Sequence, residues 1–181
     1  MRVGTKSLLF GAHCFFIHPW FVAAGWINLY GFPFDPRLWI AFFIHDWGYW
    51  GKYKMDDENG ESHPLWAARI MGAIFGQKWY YFCLCHSRFW SKRIERKPSR
   101  LCYADKCAIF LEPWWLYIPR AWLSGEIHEY RKESEDNGKY SNENVPGLTY
   151  REWFFSMCEY LKKWVGDNSN KHKEKDSVSI R

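Results

Sequence analysis

The chain predicts an all-α protein, and three observations carry that prediction. Apolar residues recur at helical spacing through most of the 181 residues, and no stretch shows the period-two alternation of a half-buried strand. Helix punctuation is dense: Asp35-Pro36, Ser62-His63-Pro64, Ser99 and Thr149-x-x-Glu152 read as starts, and Gly31, Gly48, Gly76 and Pro113 as stops. The composition, 48% hydrophobic and 21% aromatic with 13 Trp, demands a packed body rather than a solvated coil. A chain of this length is one domain's worth and can bury a proper core.

Residues 7–30 read as one or two apolar helices closed at Gly31-Phe32-Pro33. From Leu8 to Phe34 there is no charged side chain, a superficial likeness to a signal peptide or membrane span. His13, His18, Pro19, Asn28 and several glycines interrupt that stretch and would be penalised in a bilayer core, so a buried core helix is the better reading. Residues 36–46 form a short helix with Pro36 in its first turn and Gly48 as its stop. Residues 51–62 are a polar loop. Ser62 is placed to cap a helix that carries Pro64 in its first turn and ends at Phe75 before Gly76.

A helix over 78–90, a basic loop over 91–98 and a helix from Ser99 to Leu111 follow, and the segment 114–130 holds one more. Residues 7–130 thus make the main body. Residues 131–148 read as a polar linker. Residues 149–165 open with a capping-box spacing, Thr149 to Glu152. They then place Trp153, Phe154, Met157, Tyr160, Leu161, Trp164 and Val165 on one helical face, the stripe of a docking helix or a dimer contact. Residues 166–181 read as a disordered tail.

Charge and cysteines narrow the function classes. A net charge of +5 suits an anionic ligand without demanding nucleic acid, and no stable nucleic-acid complex is expected. The six cysteines form no C-x-x-C pair, which argues against a zinc ribbon; their apolar neighbours suggest reduced thiols and a cytoplasmic protein. No membrane partner is expected, and a homodimer is left open.

The chemistry-bearing residues are His18, the doublet His45-Asp46, His63, His86 and Asp105. Each lies in or beside an apolar segment, where an unpartnered imidazole or carboxylate is costly to bury. One such residue is usually hydrogen-bonded core; several in this order converge better on metal ions. Imidazole and carboxylate together suit Mn, Fe, Co, Ni or Zn, whereas an all-oxygen set favours Mg or Ca. His13 rivals His18 as the first ligand. His45 and Asp46 are separated by about 100° on a helix and can face one ion only near a helix end, which Gly48 supplies.

The ordered set His18…His45-Asp46…His63…His86…Asp105 resembles the HD superfamily of metal-dependent phosphohydrolases. Beyond the ligand types, the likeness rests on His18 with Val22 four residues on, on Asp35-Pro36 leading into the doublet, on His63-Pro64 running to Ala67, and on Ala104-Asp105-Lys106. It covers residues 13–112. The resemblance implies a compact HD-like helical bundle carrying one or two divalent transition metal ions. Asp46 would bridge the two ions, His18, His45 and Asp105 would complete one sphere, and His63 and His86 would serve the other. It further implies hydrolysis of a nucleotide phosphate ester, a nucleoside phosphate or a cyclic or dinucleotide diester, by a metal-activated hydroxide, with Asp46, His63 and His86 as catalytic groups. A non-catalytic module of the same fold that binds or sequesters a nucleotide is the alternative.

The chain departs from family branches in three places. Tyr49 stands where a lysine often follows the doublet, no Gly-Tyr-Pro follows His86, and Asp56-Asp57 is a poor substitute for the Glu-Asp pair of the alarmone hydrolases.

Phosphate contacts are expected from the basic cluster Arg88, Lys92, Arg93, Arg96, Lys97 and Arg100. Arg88, Arg93, Arg100, Lys106, Lys52 and His13 are the leading substrate-binding candidates. Trp47, Tyr49 and Trp50 are candidates to stack on a base or to pack in the core.

Overall fold

The computed structural model describes residues 1–55, 57–137 and 147–176, and these are helical with no strand among them. Ten α-helices follow in order: α1 (Val3–Phe10), α2 (His18–Tyr30), α3 (Pro36–Ile44), α4 (Pro64–Phe75), α5 (Gln77–Leu84), α6 (Arg88–Arg93), α7 (Arg100–Leu111), α8 (Trp114–Ser124), α9 (Glu126–Asn137) and α10 (Tyr150–Asp176). Short 3-10 turns at Trp47–Tyr49 and Gly60–Ser62 connect α3 to α4.

Two helix pairs organise the front of the molecule: α2 lies along α7, and α4 along α5. The first pairing depends on Gly25, where a Cβ would overlap the Ala104 carbonyl and the Cys107 side chain. Val22, Trp26, Phe42, Met71, Leu101 and Ala104 fill the space between these helices and α3. Phe42 and Met71 are wholly buried, each worth about 1.5–3 kcal/mol of transfer free energy. A second core joins Tyr117 and Ala121 of α8, Ile127 of α9, and Trp153, Phe154 and Leu161 of α10. The stripe on α10 is therefore a docking face. Trp164 continues the contact by stacking on Tyr103 of α7.

Local signals explain most boundaries. The Asp35 side chain accepts from the Arg37 backbone N–H, with Pro36 at the first helical position of α3. Thr149 and Glu152 exchange the reciprocal bonds of a capping box, Thr149 N–H to Glu152 Oε2 at 2.8 Å and Glu152 N–H to Thr149 Oγ1 at 3.3 Å. Gly125 (φ +89°) turns α8 into α9, a backbone conformation glycine adopts without penalty.

Four expectations need correction. The helix expected over 78–90 is broken at Cys85–Ser87, because the Ser87 hydroxyl accepts from Phe89 N–H and Trp90 N–H and starts α6 afresh. Ser62 does not cap α4: its hydroxyl donates to the Asn59 carbonyl and receives Lys52 Nζ. Residues 131–137 extend α9 rather than opening a linker, held where Trp153 Nε1–H donates to Ser134 Oγ at 3.1 Å. The rest of that segment, 138–146, lies outside the described residues. Likewise α10 does not stop at 165 but runs to Asp176, with Ser169 still buried; residues 177–181 lie outside the described residues.

All six cysteines are free and buried. Burial pushes the thiols of Cys83, Cys102, Cys107 and Cys158 up to about 12, so they are inert packing groups. Among the described residues no helix is long and apolar enough to cross a membrane.

Candidate metal centre

Five separate places in the fold deliver the centre's side chains to one point. His18 opens α2, Asp105 lies in the middle of α7, His45 and Asp46 follow the last turn of α3, His63 precedes α4, and His86 occupies the turn between α5 and α6. Close packing of α2 on α7 at Gly25 sets the first contact, His18 Nε2 to Asp105 Oδ1 at 3.0 Å. Gly48 is needed for a different reason from the expected one. Helix α3 has already ended before it, and a Cβ at Gly48 would collide with the His63 carbonyl. It lets the chain after the doublet press against the His63 backbone.

The ligand atoms form two groups, each with all its atoms within 4.8 Å of one another: His18, His45, Asp46 and Asp105, and then Asp46, His63 and His86. Asp46 belongs to both. Its Oδ2 lies 3.0 Å from His45 Nε2 and 3.4 Å from His18 Nε2, while its Oδ1 lies 3.5 Å from His86 Nε2 and 3.8 Å from His63 Nε2. Every one of these residues is buried.

Three of the imidazoles are oriented by the same device. His45 Nδ1 lies 2.9 Å from the Phe42 carbonyl, His63 Nδ1 lies 2.9 Å from the Gly60 carbonyl, and His86 Nδ1 lies 2.5 Å from the Cys83 carbonyl. A carbonyl can only accept, so each Nδ1 carries the proton and each Nε2 turns a lone pair inward. This carbonyl anchoring is the usual second layer of support for a metal-binding histidine.

The inward lone pairs have no adequate protein partner. His63 Nε2 and His86 Nε2 face each other at 3.1 Å, two acceptors in contact unless a cation lies between them. His45 Nε2 and Asp46 Oδ2, 3.0 Å apart, are buried without a well-formed hydrogen bond. Buried atoms of this kind cost free energy that a positive charge removes. The residues therefore fit divalent metal: His18, His45, Asp46 and Asp105 could hold one ion, and Asp46, His63 and His86 another.

Electrostatics lead to the same place. Burial opposes charge on His45, but the carboxylates of Asp46 and Asp105 override it and lift its pKa to about 10, so that without a metal ion a proton takes the inward Nε2 lone pair. Burial of His18, helped by the charge on His45, wins over the same carboxylates and lowers its pKa. Burial would raise Asp46 and Asp105, yet the basic groups around them hold both well below the usual carboxylate range. Burial, reinforced by His86, keeps His63 well below its ordinary value and neutral.

No protein-family model, curated protein or solved structure matches this chain.

A cleft of about 610 Å³ is lined by Asp46, His63 and His86 of the second donor group, by Asp105 of the first, and by Arg88, Lys92, Arg96 and Lys106. Lys106 Nζ is 2.9 Å from Asp105 Oδ2. Of the six expected substrate contacts, the cleft takes in Arg88, Lys106 and His13. It does not take in Lys52, which is held by Asn59 and Ser62, nor Arg93, stacked beside Trp90, nor Arg100, which lies over the Tyr30 ring. The α6 helix explains Arg93: a helical turn sends Arg88 and Lys92 one way and Arg93 another. Tyr49 stacks on the His63 ring at 3.9 Å and is core to the site, whereas Trp47 and Trp50 are exposed.

Several residues of the centre had no sequence signal. Glu126 of α9 is completely buried and accepts from Ser7, Ser124, Tyr130 and the Ala12 N–H. Its Oε2 lies 3.2 Å from His13 Nδ1, which fixes the His13 ring 5.5 Å from that of His18. Burial would lower the His13 pKa, but Asp46 and Glu126 raise it. Glu61, Glu133, Tyr160 and Trp164 also line the cleft. Glu126 lies 113 residues from the His13 that it holds, and Glu133 lies in the segment read as linker, so neither spacing nor local pattern could reveal these two carboxylates.

Proposed function

We propose that this chain is a metal-dependent phosphohydrolase of the HD type, acting on a phosphate ester of a nucleotide. The observation that carries the reading is Asp46: one carboxylate contributes an oxygen to each of two donor groups, in the ligand order that the sequence resemblance implies. When bound, divalent ions supply Lewis acidity, activating water near neutral pH and offsetting charge on phosphoryl oxygens.

The protein's own groups support the rest. Arg88, Lys92 and Arg96 give the cleft wall a positive lining suited to phosphate, with arginine able to donate two parallel bonds. Lys106, kept charged by Asp105, lies beside the donor atoms, where it can hold a phosphoryl oxygen. His13, oriented by Glu126, lines the same cleft. Tyr160 and Trp164 of α10 offer aromatic surface for a base. The volume of about 610 Å³ lies within the range of small-molecule sites.

The test is elemental analysis of purified protein followed by a screen with added Mn or Co against nucleoside phosphates, dinucleotides and cyclic dinucleotides. Between one and two ions per chain with release of phosphate or nucleotide is expected. Metal-loaded protein that binds a nucleotide without cleaving it would instead favour the sequestering module. Protein that stays metal-free after reconstitution would end the reading.

A further inference from the structure

The face built by α2 and α3 exposes a ridge of large aromatic side chains. Phe34 is 86% exposed, and Trp20 and Phe32 are each 57% exposed. Ring contacts make the ridge continuous: Phe34 to Phe32 at 4.9 Å, Phe32 to Trp39 at 6.4 Å, Trp39 to Trp20 at 6.0 Å and Trp20 to Phe43 at 5.5 Å. Ile40, 41% exposed on α3, lies one turn from Phe43. Contiguous apolar surface of this kind marks an interaction site rather than scatter.

A second feature adjoins the ridge. Beside α3, Asp35 and Leu38 line an open groove of about 620 Å³ together with Trp26, Trp79 and Phe82. Four cations, Lys78, Arg96, Lys97 and Arg100, line the same groove. Its one carboxylate, Asp35, is closed by Arg37 at 2.7 Å. Ser99, at the start of α7, also lines it, and the Ser99 hydroxyl is buried with no hydrogen-bond partner. Loop 94–98 separates this groove from the metal cleft, and Arg96 and Pro98 line both.

We propose that the α2–α3 face is a docking surface for an anionic lipid membrane, its aromatic ridge entering the interfacial layer while the neighbouring cationic groove takes lipid phosphate. The residue types favour this occupant. Tryptophan and other aromatics settle at the level of lipid headgroups, and basic side chains beside them gain from a negative surface potential. Residues 1–55 contain two carboxylates, Asp35 and Asp46, of which the first is paired and the second is buried in the metal centre. The face therefore meets an anionic surface without exposed, unpaired negative charge from this part of the chain. A second copy is a poorer occupant, because a two-fold contact sets the same patch against itself and would bring the two cationic grooves together. With no spanning helix among the described residues, the protein would lie on the membrane rather than cross it. This docking is independent of the metal chemistry and revises the expectation of no membrane partner.

Co-sedimentation of the full chain with phosphatidylcholine vesicles, with and without phosphatidylserine, tests the proposal. Strong partition onto the phosphatidylserine vesicles, weakened by salt, and little onto phosphatidylcholine alone is the expected result. The loop variant F32S/F34S should lower partition by roughly ten-fold or more, and K78E/K97E by roughly ten-fold. Both should keep wild-type circular dichroism and metal content, because these side chains lie outside the donor groups. Failure to bind either vesicle, equal binding to both, or unchanged binding by a folded F32S/F34S would overturn the proposal. Sedimentation velocity showing a dimer that F32S/F34S dissociates would give the face to a second copy instead.

Discussion

The donor group of His18, His45, Asp46 and Asp105 sets two carboxylates against two imidazoles, whereas the group of Asp46, His63 and His86 sets one carboxylate oxygen against two imidazoles. The first is anchored on regular helix: α2 and α7 are locked together at Gly25, so His18 and Asp105 have little freedom to part. The second is anchored on turns, with His63 ahead of α4 and His86 between α5 and α6, each aimed by one carbonyl three residues earlier. If both groups take metal, more negative charge on a stiffer frame would make the first the tighter site. Less charge, shorter-range support and the open cleft would make the second the exchangeable one.

Asp46→Ala strikes the feature the two groups share and has the largest expected effect. Both ions should be lost and hydrolysis abolished; metal content and activity on the best nucleotide substrate check it. Retention of one ion would mean that Asp46 does not bridge. Chelation should come next in size. Stripping metal leaves facing lone pairs and buried charge, so the melting temperature should fall and be restored by adding the metal back. An ion at a hundred times its dissociation constant contributes about 2.7 kcal/mol of stability.

His86→Ala sharpens the comparison directly. It should remove about one ion, leave the His18 group loaded and keep the fold, as read by elemental analysis and circular dichroism. Two ions retained with activity lost would make His63 and His86 phosphate contacts rather than ligands. Arg88→Ala should lower kcat/KM by roughly ten-fold to a hundred-fold through one lost charge-assisted contact. Arg100→Ala, away from the cleft, should leave kcat/KM unchanged, and equal effects at the two positions would remove the cleft from the mechanism. Among the changes expected to cost activity, the smallest loss should come from Glu126→Gln, which keeps the shape around His13 but removes its charge partner. Activity should fall about ten-fold with metal content unchanged.

The helical class was legible because apolar spacing and capping residues are local. Asp35-Pro36 and the Thr149–Glu152 box act over three or four residues, and the structure uses both as expected. The break at Ser87 was not legible, because Phe82, Phe89 and Trp90 continue a helical pattern straight through it. Only the competing hydroxyl bonds to Phe89 N–H and Trp90 N–H stop α5 and turn His86 inward. The extension of α9 was hidden for the opposite reason: its sequence is polar enough for a linker, and Trp153 from α10 secures it.

For the centre, the sequence by itself determined which side chains are candidate ligands, since burying His18, His45, Asp46, His63, His86 and Asp105 among apolar neighbours demands a common partner. Only the tertiary structure decided that the two oxygens of Asp46 face different groups, that Glu126 holds His13, and that Arg88 but not Arg100 reaches the cleft. Each of these is a relation between side chains brought together by packing α2 on α7 and docking α9 and α10 behind them. Local sequence sets residue type and helical phase; the distance between helices is set by the core they share.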